Sequence, residues 1–173
     1  MDESGFLLLP SVRRTWAPRR RTPLLRCAEH GGKISAISAI TLSPQHKRIA
    51  LYARFHREKN IRSGEVVAFL RQLLKPLRHP VVLLWDSANP HKAACVKEFL
   101  QKHPRLHAYP FPGYAPELNP DESVWNHLRG ALANSNPRDV HDLKEFLHPP
   151  LQWLRQSPKL LWSCIHASDL PWA

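Results

Sequence analysis

Hydrophobic and polar positions along the chain follow two periods, and the change from one to the other divides it. Residues 4 to 18 read as two short strands, "GFLLL" and "RRTWA", turning near Pro10 and Ser11. "KISAISAITL" (33 to 42) is apolar on both faces, the pattern of a central strand. "RIALYARF" (48 to 55) alternates: Ile49, Leu51, Ala53 and Phe55 share one face, and Arg48, Tyr52 and Arg54 the other. The period then becomes helical. Val66, Phe69, Leu70, Leu73, Leu74 and Leu77 form a stripe after a Ser63 cap. "VVLLW" (81 to 85) is a buried strand ending at Asp86. Asn89-Pro90 caps a helix striped by Ala93, Val96, Phe99 and Leu100. "LHAYPF" (106 to 111) is a short strand. Asn119-Pro120 repeats the cap before a helix carrying Trp125, Leu128 and Leu132. A further helix starts near Pro137 and is broken at Pro149-Pro150, and Ser157-Pro158 opens the last one.

The order is strands first, then helix, strand, helix, strand, helix. It predicts a mixed α/β sheet, with an antiparallel section extended by strands that helical crossovers make parallel. Right-handed crossovers put Asp86 at the carboxyl edge of that sheet, where ligands bind. There is no internal repeat and no low-complexity segment.

Charge narrows the function. The 173 residues carry a formal charge of +11, which favours a polyanionic partner, nucleic acid above all. The densest basic stretch is "RRTWAPRRR" (13 to 21). Arg13, Arg14, Arg19, Arg20 and Arg21 with Trp16 read as a DNA-contacting hairpin, or as a solvated basic turn with Trp16 in the core. No apolar run approaches a membrane span, and Asp2 and Glu3 stand where a secretory leader would be basic. The three cysteines, Cys27, Cys95 and Cys164, are far apart and form no C-x-x-C pair. They predict neither a disulfide framework nor structural zinc, and a reducing, cytoplasmic setting. The eleven histidines show no ligand-like spacing either.

With only 14 acidic residues, elimination is practicable. Most lie on solvated helix faces or in loops. Asp2 and Glu3 on the first strand, Asp86 after a buried strand, and Asp121 and Glu122 at a helix start remain. Each has a plain explanation. Asp2 is a terminal acid, Asp86 a turn residue, Glu122 the partner of Asn119 in a capping box, and both helix acids suit the helix dipole. Together they read differently. Carboxylates converging from separate elements repel, and a hard divalent cation relieves that repulsion. In a basic protein such a cluster suits phosphodiester chemistry.

"WDSANPHKA" (85 to 93) followed by "PFPGYAPELNPDESVWNHL" (110 to 128) resembles the catalytic core of DDE transposases, of the mariner superfamily and its bacterial insertion sequence 630 branch. "MDESGFLLLPSVRRTWAPRRRTP" (1 to 23) is similar to that family's first catalytic strand and hairpin. The resemblance spans nearly the whole chain. It implies a ribonuclease-H-like fold with catalytic, metal-holding acids at Asp2, Asp86 and Glu122. The thirty-six positions from Asp86 to Glu122 match the family's spacing. It also implies two Mg2+ ions, replaceable by Mn2+, double-stranded DNA as substrate, and a homodimer. Asp121 stands where the family has an apolar residue, and the hairpin glycine is absent. Half of the first strand and a helix-turn-helix region should precede Asp2. Residues 1–173 therefore read as one N-terminally truncated catalytic domain, served by an upstream helix-turn-helix polypeptide.

Helix phase separates the neighbouring acids. Asp121 is in phase with Trp125, Leu128 and Leu132, whereas Glu122 lines up with Asn126 and Arg129. His91 orients Asp86, touches phosphate, or merely begins a helix. The expected activity is metal-dependent DNA cleavage and strand transfer. The alternatives are an inactive DNA-binding remnant and a non-transposing nuclease of the same fold.

Overall fold

The computed structural model describes residues 1–9, 12–21, 24 and 31–171. Three strands, β1 (Asp2–Leu7), β2 (Lys33–Leu42) and β3 (Ile49–Arg57), form an antiparallel sheet in that order. After α1 (Ser63–Leu74), strand β4 (Val81–Trp85) pairs in parallel with β5 (Leu106–Pro110) across α2 (Ala94–Gln101). Three helices close the chain: α3 (Pro120–Ala131), α4 (Val140–Gln156) and α5 (Pro158–His166). The expected mixed α/β architecture is therefore present. Its antiparallel and parallel sections form separate ladders, joined where the Met1 amino group donates to the Leu84 carbonyl at 2.9 Å.

β2 is apolar on both faces because both are covered. Ile34 and Ala36 face a core made with Trp125 and Leu128 of α3, Leu143, Leu147, Leu151 and Leu154 of α4, and Leu161 and Cys164 of α5. Ile37 and Ala39 face a second core with Val66, Phe69 and Leu70 of α1, Leu83 and Trp85 of β4, and Val96 and Phe99 of α2. Helices on both sides of one sheet exclude water from each apolar stripe, and this burial is the main stabilising force. No helix of the described residues is long and apolar enough to cross a membrane.

Several local expectations change. "RRTWA" forms no strand: residues 12–18 are irregular, and Trp16 is fully exposed rather than a core residue. The turn at Pro10 and Ser11 lies outside the described residues. Asn89-Pro90 opens a separate 3-10 turn, Asn89–Lys92, and α2 starts at Ala94 because the extended backbone of Ala93 ends that turn. Arg62 rather than Ser63 is the cap of α1, its N–H donating to Glu65 Oε2 at 3.1 Å.

Pro149 and Pro150 do not break α4. They lack the N–H groups that would bond to the Glu145 and Phe146 carbonyls. Pro149 is exposed and Pro150 only half-buried, while the Leu143, Leu147, Leu151 and Leu154 stripe stays on the core. Packing of that stripe outweighs the lost bonds. The helix begins at Val140 on an Asp139 cap, later than the expected start near Pro137.

Candidate active site

The candidate carboxylates sit on three elements whose ends are bonded to one another. The first is the start of α3. Pro120 supplies a fixed φ and no unused donor, and the Asn119 side chain caps the helix by accepting from the Asp121 N–H at 3.1 Å. The capping-box alternative for Glu122 is not realised. The Asn119 N–H donates to the Pro116 carbonyl at 3.0 Å, and the Glu122 carboxylate instead faces Arg129 at 3.8 Å. Its side chain is 40% exposed. Asp121, one position earlier, is buried. Its oxygens accept from Ser38 Oγ at 2.5 Å and from the Met1 amino group at 3.1 Å. The helix phase read from the sequence thus separates a buried acid from an accessible one.

The second element is the start of β1, where alternation sends neighbouring acids to opposite faces. Asp2, in register with Ser38, faces α3 and accepts from Trp125 Nε1 at 2.8 Å. It is buried, and burial pushes its carboxyl up to about 6. The charges of Asp121 and Glu122 push the same way, against the hydrogen bonds from Trp125 and the Glu3 N–H. Glu3 turns the other way.

The third element is the turn after β4. Asp86 Oδ1 accepts from the Ala88 N–H at 3.0 Å and pairs with His91 Nδ1 at 2.9 Å. Its side chain is 45% exposed, and Oδ2 has no partner among the described residues. The His91 hydrogen bond holds the Asp86 carboxyl below the ordinary range, against the opposing effect of burial. His91 itself is buried, and its Nε2 lies 2.9 Å from Glu3 Oε1. Its ring stacks on Trp85, with centroids 4.3 Å apart and planes 5° from parallel. Burial alone would lower the imidazole pKa. Bonds to Asp86 and Glu3 outweigh it and raise the group to about 10, which favours the imidazolium form.

The Met1 amino group bonds both the end of β4 and the first turn of α3, while Trp125 ties α3 to Asp2. The three acid-bearing ends are thereby held to one another. Asp2 and Glu122 are close enough for their charges to interact. Among the described residues, however, the three groups whose donor atoms all lie within 4.8 Å of one another are Glu3, Asp86 and His91. This grouping was missed in the sequence. The signal for it was strand alternation, which places Glu3 opposite Asp2 on the Asp86 side.

The basic stretch lies apart from this network. Arg13, Arg14, Trp16, Arg19, Arg20 and Arg21 are all exposed. The Arg13 N–H donates to Asn134 Oδ1 at 2.9 Å, which fixes one end of the segment just beyond α3. A tight turn follows, with the Arg21 N–H bonded to Pro18 O at 3.0 Å and Arg20 in the left-handed region at φ 68°. His91 does not belong with these residues. With its ring buried and both nitrogens engaged, it presents no donor to a phosphate.

A hard divalent ion takes carboxylate oxygens, the donors that Asp2, Asp86 and Glu122 each carry; Asp86 keeps one oxygen open, and the charges of Asp121 and Glu122 act against that of Asp2.

A family model described as DDE superfamily endonuclease matches residues 1–144. Among solved structures, the chain is similar to the Mos1 strand transfer complex (TM-score 0.67, 19% identity, covering 95% of this chain and 49% of that one). It is also similar to the Mos1 mariner paired end complex with Mn (TM-score 0.65, 18% identity, 95% and 51%). A third is the catalytic domain of Mos1 mariner transposase (TM-score 0.59, 17% identity, 95% and 75%). These likenesses establish the fold, and the chain spans about half the length of the first two. No curated protein matches it.

Proposed function

The chain belongs to the DDE superfamily endonuclease family, and from that premise we propose that it cleaves DNA and transfers strands at transposon ends. The observation that carries this reading is the convergence of three acid-bearing ends. The starts of β1 and α3 and the end of β4 are bonded together through Met1 and Trp125, in a protein of charge +11.

In this reading Asp2, Asp86 and Glu122 are the catalytic acids and would hold two Mg2+ ions, with Mn2+ as a substitute. The bound ions would neutralise the phosphate and activate the attacking oxygen. The chain's own groups do the rest. Trp125 fixes the Asp2 carboxylate, and the Asn119 cap fixes the angle at which Glu122 leaves α3. Asp86 is held by one oxygen, which leaves the other for ligation. The exposed arginines from Arg13 to Arg21 bind the phosphate backbone, and Trp16 offers an aromatic face to an unstacked base. They supply most of the affinity and little of the sequence preference.

Placement in the mariner superfamily, insertion sequence 630 branch, rests on the Y-A-P-E-L-N-P-x-E-x-x-W string from Tyr114 to Trp125 and the upstream W-D. So do the dimer and the helix-turn-helix partner. The Mos1 paired end complex with Mn supports the choice of ion by analogy.

The test is nicking of an end-containing duplex with Mg2+. Asp86→Ala and Glu122→Ala are expected to lose at least about 100-fold in rate, since such charge-stabilising groups supply several kcal/mol to the transition state. Retained nicking in either variant would remove the assignment. A donor 3′-hydroxyl strand separates strand transfer from simple hydrolysis.

A further inference from the structure

Resting on the acid site proposed above, we propose that His91 is a positioning residue, clamping Asp86 to Glu3 so that the open oxygen of Asp86 is presented to a divalent cation. Four observations carry it. His91 is buried, so it acts within the protein rather than on DNA. Its two nitrogens reach two carboxylates, Asp86 Oδ1 and Glu3 Oε1, each at 2.9 Å. These residues come from different elements, so the imidazole joins the turn after β4 to strand β1. The ring is also held in place by its stack on Trp85. Finally, Nδ1 lies 3.0 Å from the Asp86 carbonyl oxygen as well, so one side chain grips both the backbone and the carboxylate of the residue it orients.

The physical effect is pre-organisation. A half-exposed aspartate turns freely about its side-chain bonds, and ordering it when a cation arrives costs entropy. With Oδ1 held by His91 and the Ala88 N–H, that ordering is complete beforehand, and Oδ2 points away from the bonded oxygen. A planar ring with donors on opposite sides suits the task. A lysine or arginine would bring a longer and more mobile stem. The 3-10 turn Asn89–Lys92, started by Pro90, sets the ring directly against Trp85. Outer contacts of this kind change metal affinity by roughly 10- to 100-fold when removed.

The test compares four variants by Mn2+ calorimetry without DNA, by nicking rate against Mn2+ concentration, and by binding to a fluorescent duplex. Asparagine places its amide nitrogen near Nδ1 and keeps the Asp86 bond, whereas glutamine reaches only toward the Nε2 position. His91→Ala and His91→Gln are expected to weaken Mn2+ binding by roughly 10- to 100-fold. His91→Asn is expected to recover most of that loss. Duplex affinity should stay unchanged in all three, and nicking by His91→Gln should be rescued by excess Mn2+. If His91→Ala does not fold, the Asn and Gln variants carry the comparison, because both keep a polar side chain of similar size. Equal Mn2+ affinity in the Asn and Gln variants, wild-type affinity in His91→Gln, or a parallel fall in duplex affinity would overturn the clamp. Asp86→Ala is the control for the underlying reading. If it binds Mn2+ like the wild type, the acid site itself fails and the clamp with it. If it loses Mn2+ while His91→Gln does not, the clamp alone fails.

Discussion

Trp125 shows how much a single residue does here. Its indole is fully buried between β1 and the helical layer, packing edge-on against Phe6 at 6.1 Å, and its N–H is spent on Asp2. Replacing it by phenylalanine leaves a void and removes a donor from a buried carboxylate. Trp125→Phe is therefore expected to lower stability by about 2–4 kcal/mol. Urea unfolding would measure it, and a loss under about 0.5 kcal/mol would show that the bond contributes little. The sequence showed Trp125 as a core position through its helical phase, but not its bond to Asp2, because that bond joins residues far apart in the chain. It also assigned Asp121 to the buried side and Glu122 to the open side, which is where they lie. Periodicity carries direction, and direction is what these two residues needed. The pairing of Glu3 with His91 needed direction and distance together, and pattern alone does not supply distance.

At the level of elements, the strands and helices were legible wherever an apolar stripe recurred. β2, β3, α1, β4, β5, α3 and α5 follow their patterns closely. The failures share a cause: local chemistry was overruled by packing or lacked it. "RRTWA" has a strand-like composition but no ladder partner among the described residues, and it is irregular and exposed. The two prolines of α4 are strong breakers locally, yet the helix continues because its leucine stripe fills the core. The cost of those prolines remains in the fold. Pro149→Ala and Pro150→Ala each restore a donor on the outer face of α4. Each is expected to raise stability by about 1–3 kcal/mol, less the unfolded-state entropy that proline removes. Thermal unfolding checks it; a fall in the midpoint for both would mean that the bend they impose is needed for packing.

For the whole molecule, charge and site belong to one account. A basic surface gathers a polyanion, and the acids of the proposed site would repel it unless cations intervene. The exposed segment from Arg13 to Arg21 is the densest positive feature and is anchored at Asn134 near the end of α3. Replacing Arg19, Arg20 and Arg21 by alanine is expected to flatten the dependence of log affinity on log salt. The expected decrease in slope is about 0.9 for each phosphate that the variant no longer neutralises, measured by fluorescence anisotropy on a short duplex. An unchanged slope would place the DNA elsewhere. The central claim is that Asp2, Asp86 and Glu122 share divalent ions. Anomalous diffraction from crystals soaked in Mn2+ tests it most directly. The account predicts peaks touched by the open oxygen of Asp86 and by Asp2 and Glu122. Crystals that soak without harm yet show no manganese there, or show it only between Glu3 and His91, would contradict it.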